Sequence, residues 1–236
     1  MVRESAARLS ATNQLRQIGL ALHQFNETYG RLPPAVLYDE KGRPLHSWRL
    51  LLLPLLGDKT LYQEFRLDEP WDSPQNSALI ARMPRFYEPR AEKAGNMPGL
   101  TFCQVCDGPG AAFDSDPGAG LCPYTVSGIK AAVFEGAHVT KLPTGFLESE
   151  SAFVLLAEAG EAVPWTQPTD IHYKPGQPLP AVGGNFDWSP TFLRSQRQPG
   201  TTVVFADMRA EFLGRDTDED TIRRRILRPA EPDPGK

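Results

Sequence analysis

RESAARLSATNQLRQIGLALHQFNETYG, residues 3–30, is the stretch on which the fold turns. Leu15, Ile18, Leu22, Phe25 and Tyr29 recur at alternating spacings of four and three, which places one apolar stripe on one face of a helix. A long amphipathic helix of about seven turns is predicted. Gly30 stands where a left-handed residue would end it, and Pro33-Pro34 prevents it from resuming. His23 borders the stripe, as a structural or solvent-facing side chain.

Further along, GRPLHSWRLLLLPLL (42–56) reads as a turn followed by an apolar helix from about Ser47, its N-cap, disturbed at Pro54 and Gly57. A second helical turn or two runs to Phe65, and QNSALIARM (75–83) makes another short helix. From Pro84 the pattern changes to short apolar runs punctuated by Gly, Pro and Asp. Strands are expected at Thr101–Cys106, Tyr124–Val126, Ala132–Phe134, Phe153–Glu158, Thr202–Ala206 and Ala210–Leu213, with TVVFADMRAEFL (202–213) a hairpin about Asp207-Met208. A closing helix from Asp218 to Arg228 starts from Thr217 or Asp218 as cap. Helices first and a mostly antiparallel sheet afterwards define an α+β protein with additional short helices and long loops. The expected organisation is one domain over 1–236: helix 1–30, a helical and loop excursion 31–100, antiparallel sheet 101–215, and C-terminal helix and tail 216–236.

Composition narrows the function classes. Twenty-five Lys and Arg against 29 Asp and Glu leave −4 spread along the chain, so no field directs it to nucleic acid. The one basic cluster, RRRILR (223–228), flanks Ile222, Ile226 and Leu227 at helical spacing and reads as a solvated helix face. Twenty-three prolines and 20 glycines call for many turns between short elements. No apolar run reaches membrane-spanning length, and MVRESAARLS carries no signal-peptide core.

Cys103-x-x-Cys106 with Cys122 invites a zinc reading with His138 as fourth ligand, but TFCQVC alternates like a strand and sends the two thiols to opposite faces. Buried free thiols fit that pattern; a disulfide to Cys122 is the alternative. LDEPWDSPQN (67–76) fits no periodicity. Asp68, Glu69 and Asp72 offer hard oxygen ligands, hence a candidate calcium loop, although it has no EF-hand order and no turn glycine. The architectural reading has Trp71 buried against the helices and the carboxylates capping helix N-termini such as the one near Gln75. Otherwise no cofactor is implied. HExxH, G-x-S-x-G and the phosphate-binding loop are absent, and the four histidines do not cluster in sequence.

Taken in order, residues 3–35, GRPLHSWRLLLLPLL, LYQEFRLDEPWDSPQN (61–76), GPGAAF (108–113), EAGEAVPWTQP (158–168) and VVFADMRAEFL (203–213) resemble a bacterial family of pilin-like exported proteins of uncharacterised function, domain of unknown function 1559. That family, with its prepilin-type processing-associated His/Asp-Gly signature, is similar to type IV pilins and the pseudopilins of type II secretion. The chain departs from it at three places. Met208 stands where the family has the Gly of Asp-Gly, Arg197 or Gln198 stands near the position of its His, and TGFLESES (144–151) replaces an Asp-Gly-Thr-Ser-Asn segment. A hairpin turn at Met208 that needs positive φ would be strained.

The resemblance implies a non-enzymatic, pseudopilin-like ectodomain that assembles with other pilin-like subunits or envelope proteins. Its packing or assembly residues would be Leu15, Ile18, Leu22, Phe25 and Tyr29. The helix opens almost at Met1 without a capping residue before it, so it reads as the continuation of a longer one. An apolar segment long enough to anchor the protein in a membrane, behind a basic leader, is expected upstream. The alternative is an extracellular binding module for a glycan or small solute, with Trp165, Tyr173 and Trp188 as exposed aromatics in Pro-rich loops.

Overall fold

The structure is a computed structural model that describes residues 2–89, 98–113, 121–126, 129–134, 142, 153–178, 200–214 and 217–227. Helix α1 spans Val2–Tyr29. It ends where Gly30 takes φ +74° and its N–H donates to Asn26 O at 2.8 Å, the left-handed stop that a glycine permits. Leu15, Ile18, Leu22 and Phe25 are buried, joined by Ala21. Tyr29, expected in the same stripe, is 41% exposed. It sits on the last turn of the helix, with its ring 4.4 Å from that of Phe25 and its outer face in water.

Two four-stranded sheets follow, both antiparallel throughout. In the first the order is β10 (Ala210–Gly214), β9 (Gly200–Phe205), β7 (Val154–Pro164), β3 (Leu100–Gln104). In the second it is β2 (Pro44–Ser47), β1 (Val36–Tyr38), β6 (Ile129–Phe134), β5 (Leu121–Val126). A short parallel pair joins β4 (Cys106–Asp107) to β8 (Ile171–His172). The protein is therefore α+β and mostly antiparallel. Residues 31–100 are more than helices and loops, because they supply the β1–β2 hairpin of the second sheet.

The first sheet has buried side chains on both faces. Along β9 and its exit, Val204 and Ala206 face the core that contains α1, while Val203 and Phe205 face a second core that contains Ile226. Burial on both sides explains why Thr202–Ala206 reads as a continuous apolar run instead of an alternating one. Ile226 belongs to α5 (Glu219–Ile226), capped by Asp218, whose carboxylate accepts from Thr221 N–H at 2.8 Å. Arg223 pairs with Glu219 and Arg225 with Glu211, so these arginines form the paired outer face of that helix.

After β2 the chain forms α2 (Trp48–Leu51), α3 (Lys59–Glu64) and α4 (Pro74–Ser77), with single 3-10 turns at Ile80–Arg82 and Arg85–Tyr87. Ser47 caps α2 as the sequence suggests, and Asp58 caps α3. Every residue from Trp48 to Leu53 is buried, Arg49 included.

Candidate functional site

The loop 67–76 is organised by a single side-chain amide, that of Asn76. Asn76 is fully buried. Its Oδ1 accepts from Arg66 N–H at 2.9 Å, and its Nδ2 donates to the carbonyls of Arg66 (2.9 Å), Glu69 (3.2 Å) and Pro70 (2.9 Å). One planar side chain thus replaces the ladder that an irregular segment lacks. The cap of α4 is Ser73, which accepts from Asn76 N–H, and not a carboxylate as expected. Trp71 is only half-buried, because its backbone rather than its ring docks the loop: Trp71 N–H donates to Leu45 O at 2.8 Å. Asp68 and Asp72 are exposed. Among the described residues no three His, Cys, Asp or Glu side chains gather where they could hold a metal ion, and Asp68, Glu69 and Asp72 form no such group.

Beneath this loop sits His46, 1% exposed. Its Nε2 faces Leu67 O at 3.1 Å and therefore carries the proton; Nδ1 is buried with no hydrogen-bond partner among the described residues. Burial pushes this imidazole down to about 4, against the pull of the Leu67 and Arg66 carbonyls and of Asp68.

Next to it a charge pair is enclosed in the core. Arg49 Nη2 meets Asp170 Oδ1 at 2.7 Å, with the two side chains 0% and 3% exposed. Arg49 also donates to Cys103 O (2.9 Å) and Ser47 Oγ (2.8 Å). Asp170 accepts from Val105 N–H (3.0 Å) and the Trp48 indole (3.1 Å). Burial pushes the Asp170 carboxyl upward, while Arg49 and these donors draw it back. The pair ties α2 to the β3–β4 crossover and to the strand leading into β8.

Of the aromatics expected to line an exposed ligand platform, Trp165 and Tyr173 are buried, 0% and 5% exposed. Trp165 leaves β7 directly into the core, where it stacks on Tyr87 and meets Phe65 edge-on, its indole donating to Ile80 O at 3.0 Å. Trp188 lies outside the described residues. Cys103 and Cys106 are buried free thiols, Cys103 in the core shared with α1 and Cys106 in the one shared with α5. Burial pushes each thiol up to about 12, which makes them unreactive. His138 and the side chain of Cys122 lie outside the described residues. A shallow cleft of about 20 Å³ flanks α1 between Gln14, Glu88, Thr101 and Glu158.

The geometry that distinguishes this chain is the seam between α1 and the β9–β10 hairpin. Phe205 N–H donates to Arg209 O and Met208 N–H to Phe205 O, both at 2.9 Å, closing a three-residue loop Ala206–Met208. Met208 takes φ +67°, the only non-glycine among the described residues with positive φ. The left-handed conformation that favours glycine is thus held by a residue that bears a Cβ, at a cost of roughly 1–2 kcal/mol. Its side chain reaches α1. A Cβ at Gly19 would stand 3.0 Å from Met208 Cε, 3.1 Å from Sδ and 3.4 Å from Val204 Cγ1, so the thioether occupies the notch of a missing side chain. His23 Nε2 meets Ala206 O at 2.7 Å beside it. On the face opposite the buried stripe of Leu15, Ile18, Leu22 and Phe25, Leu9 and Leu20 are 64% and 58% exposed. Eleven residues apart, they fall on one stripe of the helix.

Residues 1–103 match the model of a family described as Protein of unknown function (DUF1559). The chain is similar to that family from α1 to Cys103, a shorter span than the quoted motifs suggest. No curated protein and no solved structure matches it. Among the described residues no helix is long and apolar enough to cross a membrane.

Proposed function

We propose that this chain is a non-enzymatic, pseudopilin-like ectodomain, exported and anchored by an N-terminal helix, which assembles with other pilin-like subunits or envelope proteins. The observation that carries the reading is the division of labour on α1. One face, Leu15, Ile18, Leu22 and Phe25, is buried in the head. The opposite face presents Leu9 and Leu20 to water. Apolar side chains left on the outer stripe of a docked helix are suited to a neighbouring helix. A centre in which the Arg49–Asp170 pair, Asn76 and the two thiols are enclosed and serve the architecture supports this reading.

Fractionation of cells that express the natural gene tests it. The account expects the product in the envelope fraction, released by detergent. Recovery in the cytoplasm without detergent would overturn the localisation.

A further inference from the structure

We infer that Met208 is an oxidation site through which a peroxide loosens the seat of α1 on the head, a property independent of the function proposed above. Three observations meet at this residue. Met208 is half-buried at the tip of the β9–β10 loop and belongs to neither buried core. Its Sδ and Cε fill the notch at Gly19, which leaves no spare volume on the α1 side. The backbone that presents it is held in the left-handed region at φ +67°, where a side chain is tolerated only if its contacts compensate.

The chemistry balances simply. A sulfur lone pair attacks one oxygen of hydrogen peroxide, the O–O bond breaks, and the departing oxygen leaves as water after proton transfer. Sulfur is oxidised by two electrons and the peroxide is reduced. The sulfoxide is larger and polar, and it would have to put an S–O dipole against the Cα of Gly19 and the methyls of Val204. It has no room there, so the side chain withdraws. The left-handed turn then loses the contact that compensated it, and His23 with Ala206 is left as the hydrogen bond across the seam. Reduction of the sulfoxide by a thiol-dependent reductase would restore the fit.

The test treats the folded full chain with hydrogen peroxide and reads two quantities: mass addition at Met208 by peptide mapping, and amide exchange along Ile18–Phe25 by mass spectrometry. The expected result is one added oxygen at Met208, with exchange in that segment accelerated by about tenfold or more. Met208→Leu, treated identically, should show no acceleration, which separates this effect from oxidation at Met1, Met83 and Met97. If Met208→Leu does not fold, Met208→Gly, which suits the positive φ, serves as the control. Met208 left unmodified, or modified with unchanged exchange in α1, overturns the inference.

Discussion

Replacing Asn76 by Ala should be among the most damaging single changes outside the large apolar core. Four hydrogen bonds leave with the amide. Two of the three carbonyls keep another donor, because Glu69 N–H reaches Arg66 O at 3.2 Å and Ser73 N–H reaches Pro70 O at 3.0 Å. Arg66 N–H and Glu69 O lose the partner that Asn76 gave them. At roughly 1–3 kcal/mol for each orphaned group, the loss is about 4 kcal/mol. For a chain of this size it corresponds to a fall in Tm of roughly 8–16 °C. Asn76→Asp keeps the acceptor for Arg66 but turns a charge toward three carbonyl oxygens, so it should cost at least as much at neutral pH. Thermal and urea unfolding measure both. Asp68→Asn, Glu69→Gln and Asp72→Asn combined should stay within about 1 kcal/mol, as surface changes do. If Asn76→Ala is neutral while the triple carboxylate change is costly, the acidic side chains and not the amide hold the loop.

His46 makes stability depend on pH. Its folded value, about 4, lies below the ordinary 6.5, so the unfolded chain takes up the proton first as pH falls. Stability is full above pH 6.5 and is lost down to pH 4, by about 3 kcal/mol; the slope should flatten in His46→Gln, measured by urea unfolding across that window. Arg49→Met should cost about 3–5 kcal/mol by leaving Asp170 buried and unpaired, and a double-mutant cycle with Asp170→Asn should return a coupling of about 2 kcal/mol. Leu22→Asp should destabilise by several kcal/mol, since Leu22 is fully buried. Unchanged melting would mean that this face of α1 is free of the head.

Local signals carried far in this chain. The stripe from Leu15 to Phe25, the stop at Gly30, the caps Ser47 and Asp218, and the strands flanking Asp207-Met208 all follow from spacing and turn chemistry within a few residues. What escaped depends on partners remote in sequence. Arg49 and Asp170 are separated by 121 positions, and the only hint was a lone charge inside WRLLLL. Asn76 is one polar residue in a loop, with no period to reveal it. The hairpin Val36–Tyr38 with Pro44–Ser47 is too short to show alternation, and His46 within it pairs with a loop carbonyl. Trp165 was expected at the surface because prolines surround it. Its place is set instead by Tyr87 and Phe65, brought to it by the fold. Met208 illustrates the converse, for the sequence signalled strain at that turn and Gly19 supplies the space that makes it tolerable.

Site-directed cross-linking of the natural protein in its own cells tests the central claim most directly, with single cysteines placed at Leu9, at Leu20 and, as control, at the exposed Lys174 outside α1. If α1 is the assembly surface, the first two give cross-linked species to a copy of this chain or another envelope protein and the third gives none; cross-linking at position 174 alone, or at none of the three, would contradict it.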